Sequence, residues 1–244
     1  MTAQMLEGRL SIQAALTAGS REIQQLLLDD AKRYDWSLSQ LARQADAAGI
    51  PISYRPRAVI DKQAGGSSHG GILALVGERR TTSLESLLEV DSPAFIVMLD
   101  GIEDPYNFGG AVRAIYTAGA QGLVVRPRNW GKSTAIIGRA SAGASERIKM
   151  AVAQNAAEAA EVFQARGLVI AQTANDAAAM SLFAADLTQP LFLLIGGERR
   201  GLTRSVLQRA DMQLRIPYGR EFPGSLGTIS AAAILAFEVL RQRS

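Results

Sequence analysis

A chain of 244 residues, 48% hydrophobic and 20% charged, carries enough apolar material for a sizeable core and is too apolar for wholesale disorder. The absence of cysteine excludes disulfides, thiolate metal sites and thiol catalysis, and a net charge of +3 is compatible with a polyanionic partner without requiring one. No apolar run reaches the length of a membrane span, and "MTAQMLEGRLSIQAAL" lacks the order of a secretory signal, so the expected setting is the cytoplasm.

Residues 1–78 read as a compact αβ unit. "LSIQAALTAG" is a helical pattern closed by Gly19, and "EIQQLLL" is strand-like. "SLSQLARQADAAG" starts at an N-cap candidate, Ser37, and stops at Gly49. "IPISY" is a strand, "RAVIDKQAGG" a short helix and "GGILALVG" a third strand. Residues 79–92 form the natural linker, with a short helix at 84–88. Residues 93–244 make a second αβ run. Strands are expected at Phe95–Leu99, Gly122–Val125, Leu168–Ala171, Leu191–Ile195 and Gln213–Ile216, and helices at Gly109–Ala118, Asn155–Ala165 and Ile229–Arg241. This alternation predicts a mostly parallel sheet with helices on both faces. The last helix is apolar almost all round, as expected of a helix covered by the sheet and by a second subunit.

Three stretches carry candidate chemistry. The first, "DGIEDPYNFGGAVRA", puts Asn107 and Arg113 at the start of a helix after a strand. Gly109 and Gly110 there permit close backbone approach, but the G-x-G-x-x-G spacing of a dinucleotide site is absent. The bland alternative makes Asn107 an N-cap and Arg113 a solvated charge. The second, "LFLLIGGERRGLTRSVL", runs a strand into Gly196 and Gly197 and then Glu198, the position of the ligand crevice in open αβ sheets; the alternative is a glycine turn with solvated charges. In the third, "LRIPYGREFPGSLGTISAAAIL", Ser225 precedes the long helix, where serine is usually a cap. The single histidine, His69, is distant in sequence. That disfavours a Ser-His-Asp hydrolase and leaves His69 a structural or partner-contact role rather than a metal one.

Taken in order, these stretches resemble the three motifs of the SpoU–TrmH family of RNA 2′-O-ribose methyltransferases, within the SPOUT superfamily. Asn107, Gly109 and Arg113 meet N-x-G-x-x-x-R; Gly196, Glu198, Gly201 and Leu202 meet G-x-E-x-x-G-L; Ile216-Pro217 and Ser225-Leu226 open the third. "SAGA" at Ser141–Ala144 is also typical, and the N-terminal unit is similar to the small RNA-binding domain of the ribosomal-RNA branch. The resemblance implies an α/β fold: a C-terminal SPOUT domain with a deep trefoil knot, preceded by a small αβ RNA-binding domain. It implies a homodimer that transfers methyl from S-adenosylmethionine to a ribose 2′-hydroxyl in structured RNA, with ribosomal RNA the expected substrate.

Residue by residue, the resemblance assigns the cofactor pocket to Thr173, Gly196, Ile216 and Leu226. It makes Arg113 the catalytic arginine, with Asn107, Glu198 and Ser225 orienting the site. A guanidinium is not normally a base, so Arg113 is expected to bind phosphate or stabilise charge on the attacking oxygen. Arg9, Arg21, Arg126, Arg128, Lys132, Arg139, Arg199 and Arg200 are candidates for a phosphate-binding face, about a third of them touching RNA, whereas Trp36 and Trp130 are expected to pack. The chain departs from the family's S-L-N-V-S at Gly227 and from I-P-M at Tyr218, and its 219–224 loop is slightly long. Gly227 motivates a rival reading, an RNA-binding homologue with weakened catalysis; tRNA as substrate and a nucleotide-binding oxidoreductase are the others.

Overall fold

The computed structural model describes residues 4–66, 68–90, 93–174, 176, 178–197 and 210–244. The chain divides into two compact units, Met1–Arg80 with Asn129–Arg147, and Thr81–Arg128 with Ile148–Ser244.

The first unit opens with β1 (Gln4–Glu7), α1 (Arg9–Ala18), β2 (Ile23–Asp29), α2 (Trp36–Ala47), β3 (Ile52–Arg55), α3 (Arg57–Gln63) and β4 (Ile72–Val76). Its sheet has the order β1-β4-β2-β3, with only β2 and β3 parallel. Helix α1 ends at Gly19, whose left-handed backbone lets its N–H reach the Ala15 carbonyl. Helix α2 starts at Trp36 because the Asp35 carboxylate accepts from the Leu38 N–H at 3.0 Å. Ser37, the expected cap, instead donates its hydroxyl to that carboxylate. His69 is fully buried. Its Nδ1 accepts from the Gly71 N–H at 3.1 Å and its Nε2 lies 2.8 Å from Asp61 Oδ1, so the imidazole shapes the turn into β4.

The second unit begins with β5 (Phe95–Asp100), α4 (Pro105–Thr117) and β6 (Gly122–Val125). The chain then returns to the first unit for α5 (Thr134–Ala140) and α6 (Ala144–Arg147). Two buried carboxylates hold this return. Glu7 accepts from Arg139 at 2.5 Å and from the Gly65 N–H at 2.6 Å. Glu146 is paired with Arg21 at 3.0 Å and Arg79 at 3.6 Å and accepts from the Ser20 hydroxyl at 2.6 Å. Arg21 and Arg139, read from the sequence as phosphate contacts, are therefore committed inside the unit. The "SAGA" turn fits here because Gly143 has φ +84° and a Cβ would lie 2.7 Å from the Leu10 carbonyl oxygen.

The second unit continues with β7 (Lys149–Val152), α7 (Ala156–Gln164), β8 (Val169–Thr173), β9 (Met180–Ser181), β10 (Leu191–Gly196), β11 (Met212–Arg215) and α8 (Thr228–Arg243). The seven strands have the order β7-β6-β5-β10-β8-β11-β9, and every pairing is parallel. One face packs on α7, with the Phe163 and Phe192 rings 4.6 Å apart. Helices α4 and α8 pack on each other. The end of α8 is fastened by Gln242, which donates to the Ala185 carbonyl and accepts from the Leu187 N–H, and by Arg243, which donates to the carbonyls of Pro93, Leu187 and Gln189.

Substituting Glu146 by Gln leaves two buried guanidiniums without their counter-charge, and urea unfolding should report a loss of about 3–5 kcal/mol. Glu238 is buried, and the Arg241 guanidinium, aided by Gln242, holds its carboxyl down from 4.5 to about 2. A depressed carboxylate stabilises the fold above its unfolded value, and that contribution fades as pH falls through the folded one. Stability should therefore drop between about pH 4.5 and pH 2, more steeply than in Glu238→Gln measured alongside.

Candidate active site

The order of the parallel sheet reverses between β5 and β10, and open sheets hold ligands at the carboxyl ends of strands flanking such a reversal. There Gly196 lies in register with Asp100. The Gly197 N–H donates to the Asp100 carbonyl at 2.6 Å. A Cβ at residue 197 would lie 2.3 Å from the Gly101 carbonyl oxygen, so the end of β10 can touch the loop after β5 only without a side chain. That loop is braced from β6. Arg126 Nε lies 2.6 Å from Asp100 Oδ1, and Arg128 donates to the carbonyls of Ile102 at 3.2 Å and Glu103 at 3.0 Å. Both arginines, expected at a phosphate face, are thus occupied in holding the loop.

The loop delivers α4 earlier than its glycines suggested. Asp104 Oδ1 accepts from the Asn107 N–H at 2.7 Å, and Pro105, which has no N–H to waste, takes the first helical position. Asn107 is therefore not the cap. Its side chain is half-buried in the first turn and has no hydrogen-bond partner among the described residues. Arg113 is exposed, and among the described residues its guanidinium has neither a hydrogen bond nor an ion pair. Six residues at about 100° each set these two side chains on the order of 120° apart around the axis, with Gly110 between them. A Cβ at Gly110 would lie 2.5 Å from Ile229 Cδ1. This glycine receives the first turn of α8 rather than a ligand, which corrects the reading of the doublet.

Between the ends of β8, β10 and β11 and the start of α8 lies a cavity of about 270 Å³. Thr173, Gly196, Ile216 and Leu226 all line it, and so does Ser225; Asn107 and Arg113 do not. Thr173 Oγ1 accepts from the Gly196 N–H at 3.2 Å, tying β8 to β10. The wall is apolar at Ile195, Leu214 and Leu235 and polar at Thr173, Ser225 and Thr228. Ser225 is exposed and does not cap α8. The cap position is Gly227, at φ −58° and ψ 149°. Nothing lies within 4 Å of a Cβ built at Gly227, so the family's asparagine would fit there. Glu198, with Arg199, Arg200, Gly201 and Leu202, lies outside the described residues.

Tyr218, noted from the sequence only as a departure, lines the cavity, and its hydroxyl accepts from the Leu226 N–H at 3.0 Å. Its signal was the motif position it occupies. Trp36, expected to pack, is 74% exposed. Helix α2 buries Leu38, Leu41, Ala42 and Ala45, and Trp36 falls on the opposite side. Among the described residues there is no cluster able to hold a metal ion and no helix long and apolar enough to cross a membrane.

Residues 94–237 match the SpoU rRNA Methylase family, and residues 5–82 match the RNA 2′-O ribose methyltransferase substrate-binding family. The chain is 34% identical to the 23S rRNA (guanosine-2′-O-)-methyltransferase RlmB of Shewanella oneidensis over 86% of each protein. A Bacillus subtilis relative, the putative TrmH family tRNA/rRNA methyltransferase YacO, is 33% identical over 84% of this chain and 83% of its own. Among solved structures, the AdoMet-bound rRNA methyltransferase of Sinorhizobium meliloti superposes with a TM-score of 0.80 at 25% identity, covering 98% of this chain and 87% of that one.

The Gly110–Ile229 contact makes a prediction in which the sign changes. Gly110→Ala should destabilise the protein by about 1–3 kcal/mol in urea through overpacking. In an Ile229→Ala background the same change should stabilise it, by up to about 1 kcal/mol of helix propensity. A loss of similar size in both backgrounds would dissociate the two residues.

Proposed function

The chain belongs to the SpoU rRNA methylase family, and from that premise we propose that it transfers a methyl group from S-adenosylmethionine to a ribose 2′-hydroxyl of ribosomal RNA. The observation that carries this reading is the cavity beside the β5–β10 reversal, lined by Thr173 and Gly196 at the ends of β8 and β10 and by Ile216 and Leu226 after β11. Its apolar wall with polar edges suits a molecule with an adenine at one end and charged groups at the other. With the N–H groups of Gly196 and Leu226 given to Thr173 and Tyr218, the backbone carbonyls of these residues would hold the donor, with Ile216 beside the ring. When bound, S-adenosylmethionine supplies an electrophilic methyl carbon on a sulfonium.

The chain's own part is to bring a 2′-oxygen to that carbon and ease its loss of a proton. Arg113 is the group for this, an exposed cation with no competing partner among the described residues, on the helix that receives α8. It would anchor the neighbouring phosphate or offset charge growing on the oxygen. Asn107, its amide uncommitted among the described residues, would orient the ribose, and Ser225 and Glu198 would complete the site. A homologue without turnover is not favoured, because the lining residues of the cavity and the amide and guanidinium of the first motif are all present. The name of the Shewanella relative favours guanosine in 23S rRNA over tRNA, and ribosomal RNA as substrate implies the cytoplasm. The trefoil threading of the cofactor loops is carried over from the family.

In this reading the first unit grips RNA. Tyr34, 93% exposed, and Trp36 stand beside Lys32 and Arg33 at the carboxyl ends of the parallel pair β2 and β3, an arrangement suited to stacking on unpaired bases. We also propose a homodimer. Phe237 and Leu240, three residues apart on α8, are both exposed and would form part of the seam with a second copy.

Arg113→Ala should lower methyl transfer to unmodified ribosomal RNA by about 100-fold or more, with the thermal midpoint and the affinity for S-adenosylmethionine unchanged. Near-normal turnover would remove Arg113 from the reaction.

A further inference from the structure

Outside the cofactor cavity lies a second one of about 360 Å³, lined by Tyr218, Gly219, Arg220, Phe222 and Leu226. Tyr218 and Leu226 line both cavities, so the two share a wall. We propose that this outer pocket receives the base of the acceptor nucleotide, a purine laid against Phe222 and read by Arg220. The proposal rests on the methyltransferase reading and extends it to the group that selects the target.

The argument starts from RNA. A ribose in structured RNA comes within reach of an enclosed donor when its nucleotide is unstacked, and the freed base then needs a replacement surface. Phe222 offers one. Its ring is 62% exposed at the rim of the cavity. It lies directly over Gly224, where a Cβ would come within 2.7 Å of Phe222 Cε1, so the ring has a flat seat. The Tyr218 ring stands 6.5 Å away at 57°, and its hydroxyl is committed to the Leu226 N–H, so the second wall is held in orientation. Arg220 is exposed and, among the described residues, takes part in no hydrogen bond or ion pair. A guanidinium beside an aromatic seat matches the paired acceptors O6 and N7 on the outer edge of guanine. None of the described residues lining this pocket is acidic, which suits an electron-rich edge. The aromatic at Tyr218 and the lengthened loop that carries Phe222 are two of the three points at which this chain departs from the family motif, Gly227 being the third.

The test uses the full-length protein, tritiated S-adenosylmethionine and an unmodified 23S rRNA transcript, with Phe222→Ala, Phe222→Trp and Arg220→Ala. Phe222→Ala should raise the KM for RNA about 10-fold or more, the scale of one lost stacking partner. Phe222→Trp should restore it, and calorimetric affinity for S-adenosylmethionine should stay within about two-fold in every variant. Once the methylated nucleotide is mapped, replacing its base by 7-deazaguanine should slow the wild type but not Arg220→Ala any further. An unchanged KM in Phe222→Ala would overturn the assignment. So would weakened donor binding in that variant, which would make the outer pocket part of the cofactor site. A wild-type protein that methylates no RNA would instead overturn the function on which the proposal rests, and that result appears without any substitution.

Discussion

The arrangement of the site depends on one contact between two stretches of bare backbone. Where β10 ends, Gly197 lies so close to Gly101 that a Cβ would sit 2.3 Å from its carbonyl oxygen, and the Gly197 N–H is donated to the Asp100 carbonyl. Neighbouring parallel strands are about 4.8 Å apart, and the loops leaving them normally diverge as side chains demand room. Here they cannot diverge, because the hydrogen bond continues the pairing past the last strand residues. The loop after β5 is thereby fixed in height relative to the cavity at the ends of β8, β10 and β11. Asp104 and Pro105 then convert that height into the starting point of α4. A side chain at residue 197 would lift the loop, and with it Asn107 and Arg113.

The same economy of space governs the other side of the site. Gly110 admits Ile229, so the first turn of α8 sits against α4 between the two candidate polar residues. The residues just before that turn, Ser225 and Leu226, line the cavity. Charges around these contacts serve the scaffold first. Arg126 and Arg128 hold the β5 loop, while Arg21, Arg79 and Arg139 answer buried carboxylates in the first unit. A net charge of +3 therefore says little about which cations meet RNA. Arg113 and Arg220 have no hydrogen bond or ion pair among the described residues and lie on segments that border the site.

Much of this architecture was legible before any coordinates. Long apolar strands such as "AFIVMLD" and "LFLLIGG" and the apolar α8 announced themselves by length and composition. What escaped was short or dependent on distant residues. Strands β1 and β7, QMLE and KMAV, carry one β-branched residue between them and did not stand out from their surroundings. The start of α4 was read four residues late because paired glycines look like a helix entrance, whereas the cap is Asp104. The return of residues 129–147 to the first unit could not be read locally, since it rests on Glu7, Arg21 and Arg79 meeting partners more than a hundred residues or some tens of residues away. The lining residues of the cavity came from ordered motifs, and no periodicity would have found them. Gly110 was noticed for the wrong reason, because only the packed structure brings Ile229 against it.

The departures from the family motif fall in a pattern that the packing explains. The glycines that carry the loops together have no room for a Cβ, so change there would disturb the whole site. Gly227 is the opposite case: its backbone is ordinary, the space around it is open, and it caps α8 without a side chain. Tyr218 likewise faces outward across the wall shared by the two cavities, and the loop to Phe222 projects from the same wall. Substitution at such positions alters what the rim presents without moving the strands and helices beneath it. The chain is therefore close-packed where loops must converge and departs from the family motif where the surface is open. A fold built this way can change what its rim presents while keeping the same inner cavity.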